Sequence, residues 1–384
     1  MKEKLYTGIS LILILLGISI LFNEFYRYTN SSNELSSSSD EHELDELWME
    51  NQPEKNYINS KQADNKYVAE FRRISNEYPY ETPIQIFRDY YDKIGPDTML
   101  DAIEEDKFCH SKGHNLGRVI FEKTMDIAKS TLICKGRCST GCFHGVLMGF
   151  FNQSISNEYE HVELEGIRDK VVHVCDIKKV KNQIGKGGCI HGLGHALLFL
   201  ADYNISKSIE YCNLYNDTGP IYYCATGVFM ERDISFGKLD KGQPNLYPCN
   251  MYNEFPAACY RYKLRREYPA GKTDFKKVAK ICLELNNSNQ RRGCFHGLGF
   301  GFSKPIFDNI SKLPEICSYG DHIDQRMCIE GAIGMINVYD REVAVNACSS
   351  LGNDFKGICE AAIDISNFGM GRDFSLYYNK SINN

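Results

Sequence analysis

The sequence predicts an all-α protein: an α/α solenoid of about seven to eight two-helix repeats, about 35 residues each, stapled by intra-repeat disulfides behind an N-terminal transmembrane anchor. Three observations predict it. Cysteines recur at a steady period, apolar residues between them recur at helical spacing, and an eighteen-residue apolar stretch opens the chain.

Residues 1–4, Met-Lys-Glu-Lys, are the expected cytoplasmic N-terminus. Residues 5–22 contain LILILLGISILF, just long enough to span a bilayer. Lys2 and Lys4 hold the start inside by the positive-inside tendency and leave the rest outside the cytoplasm. No small-Xaa-small cleavage site and no lipoprotein cysteine follow the run, so it reads as an uncleaved single-pass signal-anchor in the cell membrane. Residues 23–63 form a Ser-rich acidic tether. Between Glu34 and Glu54 stand eight acids and no Lys or Arg, and such a segment repels itself and buries too little apolar area to order. Residues 64–370 are the Cys-rich helical-repeat domain and residues 371–384 a polar tail. Outside the run from Glu34 to Glu54, 44 bases meet 42 acids. That balance gives no electrostatic basis for nucleic acid as a partner.

The 16 cysteines fit an extracytoplasmic compartment. Seven Asn-Xaa-Ser/Thr sequons, at Asn30, Asn152, Asn204, Asn216, Asn286, Asn309 and Asn379, fit a glycoprotein. One cysteine of each unit falls at 142, 189, 224, 259, 294, 328 and 359, with gaps of 47, 35, 35, 35, 34 and 31. Each of the last six has an earlier partner, giving Cys175 with Cys189, Cys212 with Cys224 and Cys249 with Cys259. The series continues with Cys282 and Cys294, Cys317 and Cys328, and Cys348 and Cys359. Each pair joins the end of one helix to the start of the next, and such a staple is worth roughly 2–3 kcal/mol in the chain-entropy model. Cys109, Cys134, Cys138 and Cys142 pair among themselves. By the repeat logic Cys134 or Cys138 meets Cys142 and the other reaches Cys109, but the spacing does not choose the connectivity. The helix pairs are read at Lys276 to Leu285 with Cys294 to Phe302, at 307–318 with 322–337, and at 340–350 with 354–367. Gly and Asn cluster in the turns, and period-two strand alternation is hard to find. The period is similar to that of tetratricopeptide and related two-helix arrays, whose signature residues this chain lacks, so the likeness covers architecture alone.

Function is read from the repeating phrase Cys-Xaa-His-Gly, at Cys142 to Gly145, Cys189 to Gly192 and Cys294 to Gly297, with a shifted version at Cys109-His110. Two positions beyond each cysteine stand His144, His191, Thr226, Arg261, His296, Glu330 and Ala361. Second histidines follow at His114 and His195, and two histidines at i and i+4 share one helix face and can share one metal ion. His110, His114, His144, His191 and His195 are therefore the expected metal ligands, for zinc or copper. His296 reads as a packing residue. At an ordinary helix spacing of about 8–10 Å, His144 can complete a site with either flanking pair, but not obviously with both. Adjacent glycines, Gly145, Gly192, Gly194, Gly297 and Gly299, weaken a helix unless another helix or a ligand approaches closely. Arg261 and Arg265, on the same face, are the anion-binding candidates.

Three functions are compatible with these residues. The first is a membrane-anchored binding module with a His-rich inner face and a protein or small-ligand partner on the repeat surface. The second is a metal-dependent hydrolase or oxidoreductase on the same histidines, which needs a carboxylate base such as Glu122, Glu231 or Glu330. The third is a structural cell-surface repeat protein. No Ser-His-Asp order, nucleotide-binding loop or zincin motif is present.

Overall fold

The structure is a computed structural model, and it describes residues 66–78, 82–106, 108–156, 164–236 and 246–365. The expected anchor, tether and C-terminal tail lie outside the described residues. Among the described residues no helix is long and apolar enough to cross a membrane.

The described chain is all-helical. It begins with α1 (Lys66–Asn76), α2 (Ile84–Ile94), α3 (Pro96–Glu104), α4 (Cys109–Thr124), α5 (Ile127–Cys134) and α6 (Gly141–Ser156). Next come α7 (Leu164–His173), α8 (Lys178–Leu200), α9 (Ile205–Cys212), α10 (Thr218–Phe236), α11 (Pro256–Glu267) and α12 (Phe275–Leu283). The last six are α13 (Ser288–Gly301), α14 (Ser303–Asp308), α15 (Lys312–Ile316), α16 (His322–Tyr339), α17 (Arg341–Ser349) and α18 (Asn353–Ile365). Among the described residues the strand-like pairing is confined to one isolated bridge, Ala270 to Thr273.

The Asn and Asp residues of the turns are helix caps. Asp126, Asn204, Asp274, Asn287 and Asp340 each accept a backbone N–H of the first turn of α5, α9, α12, α13 and α17. Asp321 and Asp324 form a reciprocal capping box on α16. Each such cap is worth about 1 kcal/mol. The stretch read as one helix over 307–318 is two short ones, because Asn309 is extended at φ −150° and ends α14. Helix α8 bends at Gly185, whose φ of 73° is left-handed.

The longer, second helices of the units pack in series. α4 lies on α6, α6 on α8, α8 on α10, α10 on α11, α11 on α13, α13 on α16 and α16 on α18. Eight disulfides use all 16 cysteines. The six expected repeat pairs are present, and the first four cysteines resolve as Cys134–Cys142 and Cys109–Cys138. The connectivity left open by the spacing thus follows the repeat: Cys134 staples α5 to α6, and Cys138 takes the odd cysteine of α4. One unit departs from the two-helix pattern. Cys249 sits in turns over 246–251 rather than at a helix end.

Glycine sets the spacing of several neighbours. A Cβ on Gly145 of α6 would stand 1.9 Å from the His114 carbonyl of α4, and one on Gly227 of α10 would stand 1.9 Å from the His191 carbonyl of α8. The same contact recurs where Gly331 of α16 meets the His296 carbonyl of α13, at 2.1 Å. Close helix approach is the compensation that these helix-weakening residues call for.

Candidate metal centre

The five histidines expected as ligands come together. His110 and His114 project from α4, His144 from α6, and His191 and His195 from α8. The His144 ring is stacked on His195 at 4.4 Å between centroids and lies 5.1 Å from His110, 5.7 Å from His114 and 5.6 Å from His191. His144 thus meets both flanking pairs, which ordinary helix spacing does not obviously allow. Glycine explains the difference. α4 and α6 touch backbone to backbone at Gly141 and Gly145, while between α6 and α8 the missing Cβ of Gly192 makes room for the ring: a Cβ there would stand 2.6 Å from His144 Cδ2.

His110, His114, His144 and His195 are buried and His191 is half-buried. Two groups have ligand atoms mutually within 4.8 Å, His110 with His144 and His195, and His114 with His195 and Glu231. His195 belongs to both. Glu231, on α10, is the one of the three candidate carboxylates that reaches the histidines; Glu122 pairs with Arg88 and Glu330 with Arg326. Neither donor group includes His296.

Hydrogen bonds fix the tautomers of the α8 pair. The Thr226 hydroxyl gives its proton to the Tyr223 carbonyl at 2.6 Å, so its oxygen accepts Nδ1–H of His191 at 2.8 Å. The Glu231 carboxylate accepts Nδ1–H of His195 at 2.8 Å and, through its other oxygen, the Ser235 hydroxyl at 2.8 Å. Both Nε2 atoms then carry lone pairs, and they face one another at 3.2 Å. His110 and His114 repeat the contact on α4, with Nε2 to Nε2 also 3.2 Å and His114 Nδ1 3.8 Å from Glu231. Two lone pairs so close repel unless a proton or a cation lies between them. Burial keeps the proton off: it drives the pKa of His195 down to about 3, and those of His114, His144 and His191 well below the usual histidine value, with neighbouring histidines adding to the effect on the last three. A metal ion held there would resolve the repulsion. With both nitrogens at about 2.0–2.1 Å from an ion, a 3.2 Å separation subtends about 100°, close to tetrahedral.

His144 adds a second unsatisfied nitrogen. Its Nε2 is 3.1 Å from the Thr140 hydroxyl, while its Nδ1 is buried with no hydrogen-bond partner among the described residues. A buried polar atom left so costs about 1–3 kcal/mol, and a bound ion removes that cost. Thr140 is held at φ 70°, a left-handed conformation unusual for a β-branched residue, in the turn that starts α6.

The sequence does not single out Thr140, which is outside the repeating register. It offers Glu231 as a candidate without placing it, because Glu231 falls seven residues after Cys224 while the register positions lie at two and six. Thr226 stands in the register as a polar replacement for histidine, and the structure gives it the task of orienting one. With every cysteine in a disulfide, the donors are imidazole and carboxylate. Such a set suits zinc or copper better than a thiolate-bound cluster. Compared with known protein families, with curated proteins and with solved structures, the chain matches none.

Proposed function

We propose that this protein is a membrane-anchored, extracytoplasmic α/α-solenoid binding module whose histidines hold a transition-metal ion, zinc or copper, between α4, α6 and α8. The observation that carries the reading is the facing pair of His191 and His195 Nε2 lone pairs, oriented by Thr226 and Glu231 and kept unprotonated by burial. Glu231 acts as the outer partner that fixes a ligand's tautomer, a role usually worth 10- to 100-fold in metal affinity. When bound, the ion supplies positive charge at the centre and a Lewis acid for any group that reaches it. The five sequon asparagines within the described residues are exposed, in keeping with a glycosylated exterior. Attachment through residues 5–22 follows from their length and the flanking lysines.

A second reading, a metal-dependent hydrolase or oxidoreductase on the same histidines, draws support from Glu231, a carboxylate within proton-transfer reach of His195. Glu231→Gln separates them: an enzyme loses its pH-dependent turnover, whereas a binding module keeps its ligand and loses metal affinity.

The test of the metal reading is titration calorimetry of the purified full chain with zinc and with copper(II), beside a double variant, His191→Gln with His195→Gln. Stoichiometric binding by the natural chain and its loss in the variant are expected. A natural chain without affinity for either metal sinks the site. Protease added to intact cells is expected to release the repeat domain by cutting within residues 23–63. Protection until the membrane is broken would reverse the proposed orientation.

A further inference from the structure

Beside the histidines lies a cationic, aromatic-walled site that the metal reading does not use. Arg261 on α11 follows His144, His191 and Thr226 in the repeat register. Its side chain is half-buried, with Cζ lying 4.2 Å from the centre of the Phe300 ring and 5.3 Å from that of Tyr262. The Tyr222 hydroxyl faces the guanidinium. The Arg261 Nε is buried with no hydrogen-bond partner, and among the described residues no carboxylate pairs with this guanidinium. A buried cation is normally paired, because leaving water costs it heavily. Two buried lysines obey the rule, Lys112 pairing with Asp106 and Lys263 with Glu267, and the half-buried Arg266 pairs with Asp233.

Arg261 is also coupled to the histidine centre. Its charge is felt at His191, the half-buried histidine. Tyr262, under the guanidinium, lies beside Thr226, which in turn accepts Nδ1–H of His191. One turn further along α11, the Arg265 Cζ is 5.7 Å from the same Phe300 ring, so a second positive charge faces the same wall.

We propose that Arg261 anchors a small oxyanion, a carboxylate or phosphate group, beside the histidine centre on its His191 side. The inference rests on the metal reading for the ion that faces the second end of this ligand. The guanidinium supplies the charge and the forked N–H donors that planar oxyanions accept. Phe300 and Tyr262 hold the fork in its plane, and Tyr222 contributes a hydroxyl. An anion here removes the unpaired charge and the orphaned Nε together. It also sets its remaining oxygens toward the half-buried histidine.

The test is calorimetric titration of the full chain, with and without its metal, using inorganic phosphate and benzoate as probes. The comparison variant is Arg261→Gln, with Arg261→Lys as a second variant that keeps the charge and loses the fork. Far-UV circular dichroism and metal content are measured on each. Stoichiometric binding of one probe is expected, tighter when the metal is present. Arg261→Gln should weaken it at least about tenfold at unchanged metal content, with Arg261→Lys falling between. If Arg261→Gln fails to fold, Arg261→Lys alone decides, and natural affinity in it overturns the inference. Preference for phosphate marks a phosphoryl ligand, and preference for benzoate a carboxylate. Binding of neither probe, or binding unchanged by Arg261→Gln, overturns the inference. A chain that binds a probe through Arg261 yet takes up no metal fails the metal reading and leaves the oxyanion site standing.

Discussion

Two regions of the helical domain share the same His-Gly backbone contact and differ in their chemistry. In the first half, α4, α6 and α8 carry five histidines whose rings converge, and the carbonyls of His114 and His191 rest on Gly145 and Gly227. In the second half the carbonyl of His296 rests on Gly331 in the same way, yet neither donor group includes its ring. The His-Gly contact is therefore a packing device common to both halves, and it accounts for the glycines. It does not account for five imidazoles facing one another at a cost in buried lone pairs. That convergence is what supports the metal reading, and the comparison with His296 separates it from the packing.

The largest expected effect touches both halves alike. Reduction with a strong dithiol should unfold the entire described domain, because eight staples hold units with little core of their own, each worth about 2–4 kcal/mol in the chain-entropy model. Circular dichroism and thiol counting check it; many reactive thiols before reduction would contradict the pairing.

Acid should then separate the halves. His114, His144, His191 and His195 have folded pKa values below that of the unfolded chain, so below about pH 6.5 the unfolded state binds more protons. Metal-free stability should fall as pH drops from about 6.5 toward about 3, by up to about 1.4 kcal/mol per pH unit for each histidine. Hydrogen exchange followed by mass spectrometry should show α4, α6 and α8 opening before α13 and α16. Uniform opening would count against buried neutral histidines.

Glycine substitution sharpens the contrast. Gly145→Ala and Gly331→Ala each drive a Cβ into a backbone carbonyl, and each should cost at least about 1–3 kcal/mol in a denaturant melt. Only Gly145→Ala should also lower metal content. A loss of metal from Gly331→Ala would tie the second half to the site. The smallest effect is that of Glu231→Gln, expected to weaken metal binding by about 10- to 100-fold with the fold intact.

Much of this is legible in the sequence because repetition reports geometry. A disulfide closing a short loop must join neighbours, so the period of Cys189, Cys224, Cys259 and Cys294 reveals six pairs from spacing alone. The i and i+4 histidines can be placed on one face for the same reason. Convergence of both pairs on His144 is not legible, since it depends on how far Gly145 and Gly192 let three helices close. Glu231 escapes placement because its contact with His195 spans two helices and lies one residue off the register. The partners of Cys109 and Cys138 stay hidden because four cysteines close together obey no period.

The central claim is that imidazoles, and no sulfur, hold a metal in the first half. X-ray absorption spectroscopy of the full chain loaded with zinc or copper(II) tests it most directly. The expected result is a nitrogen and oxygen shell at about 2.0–2.1 Å with the outer scattering of several imidazoles, collapsing in the His191→Gln, His195→Gln variant and unchanged in His296→Gln. A sulfur shell near about 2.3 Å, or a spectrum indifferent to the double substitution, would contradict it.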